Sequence, residues 1–216
     1  MVNEREIDPV CGQSLDAGIR ELGLDVPPEQ QERLLAYVAL LHRWNRAFNL
    51  TAVRDPAEMI PRHLLDSLAV SPYLRGDAIL DVGTGPGLPG IPLAITQPRR
   101  RFTLLDSNGK KIRFVRQALM ELGLKNAQAE QVRVEAYDPA QGFETIVTRA
   151  FASLPDILKA TRRLLLPGGR LLALKGRRPE EELAAAGLEG AAVRVVSLRI
   201  PRLAGERHAV LIDLRR

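Results

Sequence analysis

The run ILDVGTGPGLPG, Ile79 to Gly90, constrains what this chain can fold into more than any other segment. An apolar strand runs into Gly83, Gly85 and Gly87, and a helix opens directly behind them. Glycines let a backbone turn sharply and approach a ligand closely, and the carboxyl end of a strand is where α/β sheets bind ligands. A dinucleotide fingerprint G-x-G-x-x-G can be laid on Gly85, Gly87 and Gly90. The fit is poor, because Pro86 and Pro89 carry no N–H and deprive the loop of donors that a pyrophosphate needs. A loop with few donors suits a ligand without phosphates, such as S-adenosyl-L-methionine. Asp81, at the strand end, either stabilises the loop or meets a cationic amino-acid end. A second acid, Asp106, ends the next strand, in LLDSN. From that position a carboxylate accepts both hydroxyls of an adenosine ribose, and a nicotinamide dinucleotide would use the same acid.

Around this loop the chain alternates. Strands are expected over Ala78–Val82, Arg101–Leu105, Ala127–Val134, Thr145–Thr148 and Arg170–Leu174. Helices are expected between them over Gly90–Ile95, Gly109–Leu122 and Leu154–Leu166. Such alternation implies βαβ units with right-handed crossovers. The last two strands, Val193–Ile200 and His208–Leu214, have no helix between them and should pair as a hairpin. Ahead of the alternation lie three helical stretches, about Leu15–Leu22, Glu29–Asn49 and Pro56–Leu74. The middle one carries an apolar stripe of Leu34, Tyr37, Val38, Leu41, Trp44 and Phe48, which places Trp44 and Phe48 in the core. The expected fold is α/β: a mostly parallel, doubly wound sheet of Rossmann-like methyltransferase type ending in an antiparallel hairpin, with an N-terminal helical extension. Residues 1–75 form that extension and 76–216 the methyltransferase domain. An antiparallel final strand is a habit of adenosylmethionine-dependent methyltransferases and speaks against a dehydrogenase.

The formal net charge is +5, but the excess is concentrated. Arg99 to Arg116 holds seven basic residues against one acid, and Lys159 to Arg178 holds seven against none. Patches of that kind attract a polyanion, since each neutralised phosphate releases counterions. Lys110, Lys111, Arg113 and Arg116 open the helix behind Asp106 and are either a phosphate track or a solvated face. Lys175, in the second window, is a further RNA-contacting candidate. No apolar run reaches the roughly 18 residues of a membrane span, and MVNEREIDPV has no apolar signal region, so a cytoplasmic protein is expected. One cysteine, Cys11, and three histidines without ligand spacing point to no disulfide and no metal. His63 and Asp66 read as a structural pair on one helix.

The runs YVALLHRWNRAFNLTAVRDP, RHLLDSL, DVGTGPGLPGIPLAI, LLDSNGKK, RVE, TRAFASL, PGGRLLALKG and GERHAV resemble the bacterial glucose-inhibited division protein B family. The likeness extends from about Leu34 to Val210; the region Pro179 to Gly190 and the terminal loop are poorly patterned. Members of that family methylate guanine N7 in small-subunit (16S) ribosomal RNA. The resemblance implies S-adenosyl-L-methionine as cofactor and 16S ribosomal RNA or the small subunit as partner; a monomer is expected. It further implies that Gly83 and Leu88 line the methionine side, that Asp106 takes the ribose, and that Val134 and Glu135 flank the adenine. Arg149, after the fourth strand, would stand at the mouth beside the cofactor and orient the target base; its other reading is a salt bridge to a nearby acid. N7 of guanine has a free lone pair, so no general base is expected. Another RNA, a small molecule or a protein stays open as the substrate, and convergence of the two basic windows on the pocket mouth would separate RNA from the other two.

Overall fold

The computed structural model of the chain describes residues 8–149, 152–188 and 191–214. Ala150 and Phe151 of TRAFASL, and Glu189 and Gly190, lie outside them. The chain opens with α1 (Pro9–Glu21) and α2 (Pro28–Phe48), the latter closed by Asn49 in the left-handed region at φ 48°. Asn tolerates that conformation better than other side chains. A broken helix follows: α3 (Pro56–Met59), a π-helical segment (Ile60–Leu65) and α4 (Asp66–Leu68). Pro61 has no N–H to give and its ring crowds the turn before it, so a widened turn at this point is physically expected. The third helix read from sequence as Pro56–Leu74 is therefore not one α-helix; it widens in the middle and stops at Leu68, with a short 3-10 turn over Ser71–Tyr73.

The alternation then runs β1 (Ala78–Val82), α5 (Gly90–Thr96), β2 (Arg101–Asp106), α6 (Gly109–Glu121), β3 (Ala127–Gln131), β4 (Phe143–Arg149), α7 (Leu154–Thr161), β5 (Leu165–Lys175), α8 (Glu180–Ala185), β6 (Ala191–Ser197) and β7 (His208–Leu214). The seven strands form one sheet in the order β3-β2-β1-β4-β5-β7-β6. Strands β1 to β5 pair in parallel with one another, while β7 pairs antiparallel with both β5 and β6. The expected hairpin is thus present, with β7 inserted next to β5. Several boundaries differ from the sequence reading: α1 begins at Pro9, α7 ends at Thr161 and β6 ends at Ser197. β3 ends at Gln131, because Val134–Ala136 turns into a 3-10 helix. β5 starts earlier than Arg170, its ladder to β4 interrupted by an irregularity around Pro167-Gly168-Gly169.

Strict alternation along the strands fills two apolar layers. Ile79, Leu104, Leu172 and Leu211 face the layer covered by α1, α2, the broken helix, α5 and α6. Leu80, Leu105, Leu171 and Ile212 face the layer covered by α7. The N-terminal helices share the first layer with the sheet, and Tyr37 of α2 is fully buried there. Phe48 departs from expectation: it stacks on Trp44 with ring centroids 5.2 Å apart, yet it is 39% exposed. It ends the helix, where one side of the apolar stripe faces solvent.

Candidate active site

The strand order reverses between β1 and β4, so the carboxyl ends of those two strands define the crevice where doubly wound sheets take their ligands. The glycine loop enters that crevice under several restraints. The N–H groups of Gly83 and Thr84 both donate to the Leu105 carbonyl at the end of β2. The Tyr37 hydroxyl donates to the Pro86 carbonyl at 2.8 Å, so α2 holds the loop from the other side. Burial pushes the Tyr37 hydroxyl above its ordinary value, which keeps it a neutral donor. Gly83, Gly85 and Gly87 all take positive φ, at 69°, 60° and 94°. A side chain at Gly87 would run into Ile91, whereas Gly85 has open space on its Cβ side. Gly87 therefore serves packing and Gly85 serves access.

Asp81 lies beneath the loop, fully buried. Its Oδ2 accepts from the Thr84 hydroxyl at 2.6 Å and from the Gly90 N–H at 2.8 Å. Of the two sequence readings for this acid, the geometry realises the loop-stabilising one. Burial pushes its carboxyl up to about 6, against the pull of those two hydrogen bonds and of the Arg149 charge. Leu88 is also buried in the apolar layer, and its N–H is committed to the Thr84 carbonyl. At 1% exposed, Leu88 presents almost no surface and is not brought to the cleft wall that Gly83 lines.

Asp106 faces a cleft of about 410 Å³ whose walls include Gly83, Lys111, Val134 and Glu135. The sequence reading had Gly83, Asp106, Val134 and Glu135 meeting, and the fold brings them together; Lys111, read as an RNA contact or a solvated residue, joins them. Asp106 Oδ2 accepts from the Gly85 N–H at 2.9 Å and Oδ1 from the Asn108 N–H at 2.8 Å. An ionised carboxylate offers about four acceptor positions, so roughly two remain, on a side chain 11% exposed. A ribose with two adjacent hydroxyls fits that remainder, and the open side of Gly85 leaves room beside it. Asn108 also caps α6, accepting from the N–H groups of Lys110 and Lys111, and this fixes where the helix starts relative to Asp106.

One residue escaped the sequence reading. Arg163 donates from Nη2 to the carbonyls of Val134, Glu135 and Tyr137 at 2.9, 3.1 and 2.7 Å. It secures the 3-10 turn that forms the cleft wall beyond β3. Its only signal in the sequence was membership of the second basic window, where it was counted with the cations expected to attract a polyanion.

Three of that window's seven cations, Arg163 among them, are used inside the fold, while Lys159, Arg162, Arg177 and Arg178 are exposed. Arg170 is buried and makes a bidentate pair with Asp213 at 2.6 and 2.9 Å, donating also to the Tyr73 carbonyl. Lys175 donates to Glu182 at 2.7 Å and to the Ala152 carbonyl at 3.0 Å; Glu182 in turn accepts from the Leu154 N–H. Its ammonium thereby ties α8 to the start of α7, and the expected RNA contact at Lys175 is withdrawn. The first window divides as well: Arg101 begins β2 while Lys110 lies beyond its far end, roughly 15 Å along the strand axis. Only part of each window therefore reaches the carboxyl edge of the sheet, Lys110 and Lys111 at the start of α6 and Lys175 at the end of β5. Lys110, Arg113 and Arg116 are exposed on α6, and Lys111 leans into the cleft with Nζ 4.0 Å from Asp106 Oδ2.

Arg149 stands at the end of β4. Its Nη1 donates to Asp66 Oδ2 at 3.1 Å and to the Arg62 carbonyl at 3.2 Å, so the salt-bridge reading of this residue is realised, with a helix acid. His63 does not pair with Asp66 as expected. Its Nε2 meets the Thr51 hydroxyl at 3.0 Å, and burial, reinforced by the Arg149 charge, lowers its ring to about 4.

The family model described as GidB, rRNA small subunit methyltransferase G, matches residues 30–210. The chain belongs to this family. It is 54% identical over 194 residues to the ribosomal RNA small subunit methyltransferase G of Methylococcus capsulatus, covering 90% of this chain and 94% of that one. To the protein of the same name from Alkalilimnicola ehrlichii it is 52% identical over 201 residues, 93% and 91% of the two chains. Among solved structures, a SAM dependent methyltransferase from Aquifex aeolicus superposes with a TM-score of 0.57 at 21% identity, over 77% of this chain and 97% of that one. A SAM-dependent O-methyltransferase from Thermotoga maritima does so with a TM-score of 0.57 at 14% identity, over 70% and 65%. Those two likenesses establish the Rossmann-like methyltransferase fold. Among the described residues no helix is long and apolar enough to cross a membrane, and no cluster of His, Cys, Asp or Glu could hold a metal ion.

Proposed function

We propose that this member of the rRNA small subunit methyltransferase G family transfers the methyl group of S-adenosyl-L-methionine to N7 of a guanine in 16S ribosomal RNA, as a cytoplasmic monomer. Family membership over residues 30–210 carries the reading. The convergence of Gly83, Asp106, Val134 and Glu135 on one cleft supports it. When bound, S-adenosyl-L-methionine supplies a methyl group activated by its sulfonium centre. On this reading Asp106 accepts from both ribose hydroxyls through its two free acceptor positions. Val134 and Glu135 flank the adenine on the wall that Arg163 secures. Gly83, Gly85 and Leu88 line the methionine side, while Asp81 and Gly87 shape the loop from beneath.

Guanine N7 presents a lone pair at neutral pH, so no side chain has to remove a proton before transfer. What the chain contributes is alignment of N7 with the sulfonium–methyl bond in a site that keeps its shape, and proximity of that kind lowers a barrier by several kcal/mol. Arg149 orients the base through O6 or a neighbouring phosphate, leaving N7 unblocked. The exposed α6 cations Lys110, Arg113 and Arg116, with Lys111, track RNA phosphates. The deciding experiment is mass mapping of methylated guanines in 16S RNA from a strain lacking the gene, with and without restoration. One 7-methylguanine that vanishes and returns is the expected result; an unchanged map refutes the activity.

A further inference from the structure

Asp66 is a charged residue only 4% exposed, and the cofactor cleft makes no use of it. It begins α4, just past the π-helical segment, and its two oxygens face two different arginines. Oδ2 lies 3.1 Å from Arg149 Nη1, and Oδ1 lies 3.2 Å from Arg207 Nε. Arg149 ends β4, and Arg207 directly precedes β7, whose first residue His208 pairs with Lys175 at the end of β5. Both arginines therefore stand on the carboxyl edge of the sheet, the edge from which the glycine loop rises. The Arg149 charge is felt by Asp81 under that loop and by Tyr37, whose hydroxyl holds Pro86.

One carboxylate against two guanidiniums leaves an excess positive charge. The acid is hidden, with its side chain 6% exposed, while the arginine side chains are 21% and 32% exposed. Among the described residues neither guanidinium pairs with a second acid. Gathering two cations on one buried anion is a poor way to stabilise a fold, because the cations repel and the anion is desolvated. It is a good way to present a forked cation to an anion arriving from solvent, since guanidinium planes match phosphate oxygens. A base methylated at its edge must leave its stack, and the flanking backbone then lies at the mouth of the site.

We propose that Asp66 is a positioning residue: its single carboxylate sets Arg149 and Arg207 as a paired fork for a backbone phosphate of the RNA beside the target nucleotide. The inference rests on the RNA-methylating reading given above and adds to it the group that aims the fork.

The test uses full-length protein and unmodified 16S RNA from the deletion strain. Asp66→Asn keeps the shape of the side chain and removes its charge. Single-turnover methylation at subsaturating RNA should fall at least about tenfold, through weaker RNA capture, with affinity for S-adenosyl-L-methionine unchanged within about twofold. The log–log salt slope of RNA binding should become shallower by about 0.7–0.9, the share of one phosphate. Adding Arg207→Gln to Asp66→Asn should cost little more, because both changes break the same fork. An unaltered salt slope, or penalties that multiply in the double variant, would overturn the proposal and leave Asp66 a structural acid. If Asp66→Asn does not fold, Arg207→Gln alone decides: its side chain is one-third exposed, and it must show the same loss of slope with cofactor affinity intact. Wild-type protein that methylates no guanine would overturn the activity assigned above, whereas the Arg207→Gln binding slope reads the fork independently of that activity.

Discussion

Asp106 offers the most direct check on the cofactor site. Its carboxylate already accepts the Gly85 and Asn108 N–H groups at 2.9 and 2.8 Å, one on each oxygen. About two acceptor positions remain, and on the proposed reading these meet the two ribose hydroxyls. A hydrogen bond to a charged group contributes about 1.5–3 kcal/mol net. Two of them would approach twice that in a sealed site, but this cleft is open and water recovers part of the difference. Asp106→Asn should therefore weaken binding of S-adenosyl-L-methionine by about 2–3 kcal/mol, or about 30- to 150-fold. The amide also turns one N–H₂ toward a backbone donor, so a loss of about 1 kcal/mol in stability, a midpoint shift of roughly 2–4 °C, should accompany it. Titration calorimetry with S-adenosyl-L-methionine and with its 2′-deoxy analogue separates the two effects. The wild type should discriminate against the analogue, and Asp106→Asn should do so far less. Equal discrimination by both proteins, or unchanged affinity in the variant, would refute the ribose assignment.

Arg163→Met should weaken cofactor binding by about 1–2 kcal/mol in the same titration, because three carbonyls of the cleft wall lose their common donor while the exposed head carries little of the fold; retention of full affinity would make the clamp irrelevant. Neutralising Lys110, Lys111 and Arg113 together should make RNA binding less salt-dependent, by about 0.7–0.9 in log–log slope for each phosphate that is no longer neutralised. An unchanged slope identifies a solvated face. His63 gives a pH prediction with a definite sign. Its folded value of about 4 lies below its ordinary 6.5, so the unfolded chain binds the extra proton between those limits. The neutral ring's stabilising advantage is complete above about 6.5 and is lost as pH falls toward 4, by about 3 kcal/mol in all. His63→Gln, which can keep the bond to Thr51, should remove that loss, so denaturation curves of variant and wild type should converge on acidification. Asp81, held up at about 6, pulls the other way over nearly the same range, which is why the difference between the two proteins is the quantity to measure.

Local signals read well where one residue type has one physical use. The Gly83–Gly87 turn, the alternation after Ala78 and the helix-free spacing before His208 each pointed to their element, and five parallel strands with an antiparallel return are what the chain forms. Asp106 was legible from its place at the end of β2, whereas the Val134-Glu135 wall came from the family resemblance; the two meet because β3 pairs with β2. What could not be read was pairing across distance. Nothing near His63 in the chain says that its partner is Thr51 and that Asp66 turns instead to Arg149 and Arg207, 83 and 141 positions away. The widened turn at Pro61 decides which side of the helix each residue faces, and a regular period misplaces them.

The charge windows fail for a related reason. A run of basic residues is a property of the sequence, whereas a basic patch is a property of the surface, and a fold converts one into the other only after internal acids and carbonyls have taken their share. Arg163 goes to three carbonyls, Arg170 to Asp213 and Lys175 to Glu182, so three of the seven cations of the second window build the molecule, while Lys159, Arg162, Arg177 and Arg178 stay exposed. Each of the first three has a fixed partner at hydrogen-bond distance, and moving it to a phosphate would leave a buried or half-buried carboxylate or carbonyl unpaired. The cations free to meet RNA include those whose helix face has no acid opposite, as on α6, and those whose acid is already shared, as at Asp66. It follows that neutralising Arg170 should impair folding, and that neutralising Arg113 should impair only RNA binding, although the two residues look alike in a charge plot.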